Sequence, residues 1–179
     1  MNTNINSITE EEVMKAEDKY VNLNEHEIKK LAESAFKEQP ALFTFIAAVV
    51  ETLEEEEAQE FFLQLVYVTW VAYKEKYALK RQLSIEEVEH TNDEDDKFME
   101  SLADNEEALM SEVLRRMIEH PQAALMSYVH LQIGDFFEID EQEDEDFDED
   151  EYLDSGVISK TLNTFINLLE KARQGLYIA

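Results

Sequence analysis

The sequence predicts an all-α fold, an irregular bundle of six to eight helices around a buried central helix at about 58–82. Three observations carry that expectation. Residues 61–73 hold only two clearly polar side chains, Gln64 and Thr69, and include the chain's single tryptophan, Trp70. A helix apolar on nearly every side belongs inside a protein, with other helices laid around it. The chain has three Gly and two Pro, and none of either between 41 and 120. That poverty argues against an all-β fold, which needs frequent turns, and against Gly-rich nucleotide loops. Elsewhere, apolar residues recur at helical spacing through most of the chain.

The central stretch needs its flanks to settle its type. Val66, Val68, Thr69 and Val71 are β-branched and favour strands locally. Residues 54–60 and 74–82 are good helix formers, with glutamates at the start and Lys80 and Arg81 at the end, as the helix dipole prefers. Thirteen helical residues rise about 20 Å, well short of the ~30 Å of a bilayer's hydrocarbon core. The other apolar run, 41–50 plus Leu53, is equally short. Neither is expected to span a membrane.

The remaining elements follow from caps and breakers. Thr9 with Glu12, and Asn24 with Glu27, have capping-box spacing. The first predicts a helix carrying Val13, Ala16 and Tyr20, and the second one carrying Ile28, Leu31, Ala32, Ala35 and Phe36. Pro40 ends that helix and suits the first turn of the next, which holds Leu42, Phe43, Phe45, Ile46, Val49, Val50 and Leu53. Ser84 and Glu87 open a short helix to about His90, and the acidic stretch 91–96 reads as a loop. Residues 97–119 return to helical spacing with Phe98, Leu102, Leu109, Val113, Leu114, Met117 and Ile118 inward, and Asp104-Asn105 as a potential break. After Pro121 an apolar helix runs from about 122 to 138, with Leu125, Met126, Tyr128, Val129, Leu131, Ile133, Phe136 and Phe137. Asp154 or Ser155 starts a last helix, with Val157, Ile158, Leu162, Phe165, Ile166, Leu168 and Leu169 inside and Gly175 at its C′ position. Leu176, Tyr177 and Ile178 are expected to dock on the body.

An internal correspondence is visible. Residues 35–42 can be set against 116–121, with Ala124-Leu125 following after a small insertion, which suggests two pseudo-repeated helical halves. The expected organisation is a disordered tail at 1–6 and a single all-α domain at 7–179, with a mobile acidic connector at 141–151. That connector has nine acids in eleven residues, a density that cannot pack against itself.

Composition narrows the functional classes. The absence of cysteine excludes disulfides, zinc–thiolate sites, iron–sulfur clusters and thiol catalysis. The first six residues lack the basic and apolar segments of a signal peptide, which favours a cytoplasmic protein. Forty-three acids against 15 bases leave a net charge of −28, a field that repels nucleic acid and anionic membranes and attracts basic partners and cations.

Each candidate chemistry has a plainer alternative. Glu87 and His90 have the Glu-x-x-His spacing of carboxylate-bridged metal bundles, but such sites need a second copy of the motif, and the other histidines do not supply it. The acidic run can be laid over a calcium loop from Asp140, yet Glu145 stands where a sharp turn requires Gly. Only weak, non-specific divalent binding is expected there, and no cofactor. Lys74, Lys76, Lys80 and Arg81 form a basic cluster where a helix C-terminus favours cations anyway. Tyr67, Trp70, Tyr73 and Tyr77 read as core, and His130 as a hydrogen-bonded core histidine.

The leading functional expectation is a non-enzymatic interaction or regulatory protein that engages a basic surface on a protein partner. Asp144, Glu145, Asp146, Asp148, Glu149 and Asp150 are the contact residues expected, because 135–154 hold 13 acids and no base. The alternatives are a metal-binding bundle or metal-dependent enzyme using Glu87 and His90, and an oligomeric structural subunit.

Overall fold

The computed structural model describes residues 7–102, 106–137 and 149–175. Among them are eight α-helices: α1 (Glu10–Val21), α2 (Glu25–Glu38), α3 (Pro40–Val50), α4 (Glu56–Lys76), α5 (Ile85–Leu102), α6 (Glu106–Glu119), α7 (Ala123–Phe136) and α8 (Glu149–Gln174). No other regular element occurs in the described residues, so the protein is an all-α bundle.

The capping boxes form as their spacing requires. The Thr9 hydroxyl accepts from the Glu12 N–H while the Glu12 carboxylate accepts from the Thr9 N–H, and Asn24 with Glu27 repeats the arrangement. Ser84 and Glu87 exchange the same two bonds, at 3.2 and 3.0 Å. Each satisfies helix-start N–H groups that have no intrahelical acceptor. Pro40 occupies the first turn of α3, and Gly175 closes α8 with a φ of 73°, a left-handed conformation that costs other residues about 1–2 kcal/mol.

Helix α4 lies at the centre. Phe62, Leu65, Val66, Val68, Trp70 and Tyr73 are buried on it, and the core continues through Leu42, Phe43 and Ile46 of α3 and Ile158, Leu162, Phe165 and Ile166 of α8. Phe43 presents its ring to both Trp70 and Phe165 edge-on, with centroids 5.2 and 5.9 Å apart. This contact joins the first half of the chain to the last helix.

The two halves follow one plan, α1–α4 and α5–α8, and two glutamines lock them reciprocally. Gln39, capping α3, donates from Nε2 to the Arg81 carbonyl (2.8 Å) and accepts at Oε1 from the Leu83 N–H (3.0 Å). Gln122, capping α7, accepts at Oε1 from the Ile8 N–H (2.8 Å) and donates to the Tyr77 hydroxyl and to Glu170 (both 3.1 Å). Leu83 and Ile8 each stand one residue before the capping residue of the opposite half's first helix. The buried trio Leu42, Phe43 and Ile46 likewise recurs as Leu125, Met126 and Val129. A glutamine within the third helix's cap thus holds the entry to the other half.

Replacing Gln39 with Ala removes both bonds and leaves the buried Leu83 N–H without this acceptor. The expected result is a loss of about 2–3 kcal/mol, read as a lower urea midpoint at unchanged m-value. A shift under a few tenths of a kcal/mol would show that water replaces the glutamine.

Several expectations are corrected. The central helix ends at Lys76, not near 82; Tyr77 is already extended, with φ −127° and ψ 146°. Tertiary bonds replace helical ones beyond it: the Lys80 N–H donates to the Ala172 carbonyl at 3.1 Å, and Gln39 takes the backbone at 81 and 83. The stretch 91–96 is helical, inside α5. Two of its acids have partners on α8, with Asp95 accepting from the Thr164 hydroxyl (2.7 Å) and Asp96 paired with Lys160. Helix α8 starts at Glu149, about five residues early, where carboxylates suit a positive helix terminus.

Phe36, Leu114, Ile118, Leu131, Phe136 and Val157 are exposed, although helical spacing marked them for the core. For Phe36, Leu114 and Ile118 the reason is that α2 and α6 lie on the outside, so only part of each apolar stripe meets a neighbour. The tail at 1–6, the break at Asp104-Asn105, the calcium-like loop from Asp140 and the segment Leu176-Tyr177-Ile178 lie outside the described residues, as do the side chains of Leu102 and Leu109.

Candidate functional site

The halves differ where the first helix meets the fourth. In the first half α1 packs along α4 as the most extensive helix pair among the described residues, and Tyr20 stacks on Tyr67 with centroids 6.2 Å apart. The equivalent place in the second half, where α5 and α6 meet α8, opens into a cleft of about 370 Å³. That volume lies near the lower end of small-ligand pockets. A floor of Phe98, Met99, Val113, Met117 and Met126 faces a wall of Ser159, Lys160, Asn163 and Asn167 from α8.

The polar wall can be read atom by atom. The backbone N–H of Gln122 donates to His120 Nδ1 at 3.0 Å. A histidine that accepts at Nδ1 is neutral and carries its proton on Nε2. Its Nε2–H therefore donates to Asn167 Oδ1, also at 3.0 Å. One turn earlier, the Ser159 hydroxyl lies 3.4 Å from His130 Nδ1 and His130 Nε2 meets Asn163 Oδ1 at 3.2 Å. A hydroxyl, unlike a backbone N–H, both donates and accepts, so it sets no tautomer. Burial lowers the pKa of both imidazoles, which keeps them neutral; the amide bonds oppose this only in part. His130 is thus a hydrogen-bonded histidine of the interior, as expected.

Charge around the cleft is nearly balanced, which is unusual in so acidic a chain. Arg116 stacks over the Phe98 ring, 3.2 Å from its centroid, and reaches Glu112 at 3.6 Å and Asp95 at 3.9 Å. Burial raises the Asp95 carboxyl, while Thr164 and the nearby Arg116, Lys171 and Lys160 pull it the other way. Lys171 donates to the Thr91 hydroxyl at 3.0 Å.

A second polar cluster lies in the interior. The Glu170 carboxylate accepts from Tyr73 Oη (2.7 Å), Gln122 Nε2 (3.1 Å), Gln174 Nε2 (2.8 Å) and Arg173, whose guanidinium also lies 4.5 Å from the Tyr77 ring. Every donor faces the carboxylate of one residue. This is a structural lock between α4, α7 and α8.

The residues singled out in the sequence are not assembled into one site. Glu87 gives both carboxylate oxygens to the Arg81 guanidinium, each at 2.7 Å, and so is committed to an ion pair. His90 is half exposed and faces Glu94 at 3.3 Å. Among the described residues no group of three or more His, Cys, Asp or Glu is placed to hold a metal. Lys74 and Lys76 pair with Glu38 and Glu12, which disperses the basic cluster. Asp144, Glu145, Asp146 and Asp148 lie outside the described residues; Glu149 and Asp150 form the first turn of α8, with no side-chain placement described. Among the described residues no helix is long and apolar enough to cross a membrane.

The cleft itself escaped the sequence. One signal was available: Ser159, Asn163 and Asn167 recur at four-residue intervals on a helix otherwise apolar inside. A polar stripe on a buried helix needs something polar opposite it.

Fold and site together define an acidic all-α bundle built from two like halves, one of them opened into a cleft. No protein family, curated protein or solved structure matches the chain.

Proposed function

We propose that the protein is a cytoplasmic, non-enzymatic interaction protein that engages a basic surface on a protein partner. The observation that supports this is how the fold uses its bases. Lys15, Lys19, Lys74, Lys76, Arg81, Arg115, Arg116, Lys160 and Arg173, nine of the 15, are already paired with carboxylates of the same chain. With 43 acids in all, the carboxylates left over dominate the outer face; the run Glu54, Glu55, Glu56 and Glu57 is wholly exposed. Such a surface steers basic partners and repels nucleic acid and anionic lipid. The run containing Asp144, Glu145, Asp146, Asp148, Glu149 and Asp150 concentrates the same charge and is the contact assigned to the partner. Carboxylates presented there take the place that phosphates would have on a nucleic-acid-binding partner.

The test is capture of the full chain's partner from host lysate at low and at moderate salt. A basic protein retained stoichiometrically at low salt should be lost at least tenfold as salt rises, because exposed charges are screened beyond about 10 Å at 0.1 M. Converting the six acids to Asn and Gln should produce the same loss at low salt. A partner held equally by both proteins at both salts would defeat this reading.

A further inference from the structure

The cleft of the second half carries an inference independent of the acidic surface. Both asparagines of the cleft turn their oxygens to a histidine, and at Asn167 the backbone N–H on His120 Nδ1 makes that orientation obligatory. His120 and His130 each donate Nε2–H to an asparagine carbonyl, so Asn167 and Asn163 spend their oxygens on histidine. Their NH₂ groups are then left as donors, one helical turn apart on the wall of the cleft, and among the described residues neither meets an acceptor. A side-chain amide has two donors; neither nitrogen is fully buried, so water in the cleft satisfies them until an acceptor displaces it. Lys160 adds a cation at the same wall and Arg116 another across from it, each already paired with an acid.

The cleft thus offers amide donors on one side and an apolar floor of Phe98, Met117 and Met126 on the other, while the Asp95 and Glu119 carboxylates of its lining are engaged by Thr164 and Arg115. Its occupant should bring acceptors at one end and hydrocarbon at the other. A dianion is disfavoured, because the bases nearby are neutralised and the chain as a whole carries −28. A carboxylate has two acceptor oxygens and one charge, enough to take a bond from each amide. We propose that this cleft binds a single-chain carboxylate, with the Asn163 and Asn167 amides holding the carboxylate and the Phe98–Met117 floor covering the apolar chain.

The histidines act here through the asparagines. They touch no ligand atom; His120, which accepts from the Gln122 N–H, fixes which way the Asn167 amide faces, and His130 holds the Asn163 oxygen at 3.2 Å. They are positioning residues.

The experiment is a titration of the full-length, ¹⁵N-labelled protein with sodium decanoate below its micelle concentration, followed through the asparagine side-chain NH₂ resonances. The Asn163 and Asn167 signals should move and saturate together. Decanol should bind at least tenfold more weakly, and decyl phosphate no more tightly than decanoate. Met117→Trp, which fills the floor without touching the amide bonds, should weaken decanoate at least tenfold, with the His120 and His130 ring signals unmoved. Asn163→Ala with Asn167→Ala should weaken decanoate while sparing decanol. The proposal is overturned if the amide signals stay still, if decanol or decylamine binds as tightly as decanoate, or if Met117→Trp binds unchanged.

Discussion

Replacing Trp70 with Ala lowers the unfolding free energy by about 3–5 kcal/mol, the range for truncating a large buried aromatic. Trp70 is 2 % exposed, at the centre of α4, and its ring meets the edge of Phe43 at 5.2 Å. Phe43 in turn abuts Phe165 of α8, so the cavity would open where α3, α4 and α8 converge. Three helices cannot all collapse into one void, which places the cost toward the upper end. Lys74, whose ammonium lies 5.7 Å from the indole, loses that contact as well. The measurement is urea unfolding by far-UV circular dichroism, since the variant has no other tryptophan to report. Trp70→Phe should cost less than half as much. A loss below about 1 kcal/mol for Trp70→Ala would contradict the packing described for the centre of the bundle.

Glu170→Ala should be comparably severe, at about 3–5 kcal/mol, because removing one partner of a buried charged network strands the rest. Tyr73, fully buried, would lose the acceptor of its hydroxyl, and Arg173, Gln122 and Gln174 would lose theirs. Glu170→Gln keeps the shape and one acceptor oxygen, so it should cost less and give a distinct signature with pH. Burial pushes the Glu170 carboxyl up, but hydrogen bonds from Arg173, Tyr73, Gln174 and Gln122 outweigh it and hold its pKa at about 2, against 4.5 ordinarily. A depressed folded-state pKa stabilises the protein fully above the unfolded value, and that stabilisation is lost as pH falls through the folded value. The wild type should therefore exceed Glu170→Gln in stability by more at pH 7 than at pH 3. His130, lowered by burial, loses stabilisation below about 6.5 in both proteins and cancels from the difference. His120, also lowered by burial, is raised in part by the Glu170 charge, so its loss is larger in Glu170→Gln and narrows the expected change. An equal gap at both pH values would mean that Glu170 titrates normally.

Much of the fold was legible because it rests on short-range rules. The capping boxes at Thr9, Asn24 and Ser84, the helix start at Pro40 and the left-handed Gly175 involve residues within a few positions of one another. The burial of α4 followed from having no polar face to show. The correspondence between 35–42 and 116–125 was faint, yet it marked the neighbourhood of the two bracketing glutamines. Their role stayed hidden, since neither Gln39 nor Gln122 announces its distant backbone partners.

The misreadings share a cause. Residues 91–96 look like a loop as long as their acids are counted as solvated, and become helix once Lys160 and Thr164 stand opposite. Residues 77–82 look helical by propensity, but the carbonyl of Ala172 and the amide of Gln39 offer their backbone other bonds. Propensity differences amount to a few tenths of a kcal/mol per residue, and one buried hydrogen bond exceeds that.

By itself the sequence determined the class of fold, the starts of most helices, the buried centre at α4 and the acidic character of the surface, since each depends on composition, period or contacts within one turn. Only the tertiary structure decided where α4 stops, that the halves clasp each other through Gln39 and Gln122, and that α5 and α6 stand off α8 to leave a cleft whose asparagines face inward. Those outcomes are set by bonds between residues some 40 to 115 positions apart in the chain, and no local pattern encodes which distant donor meets which acceptor.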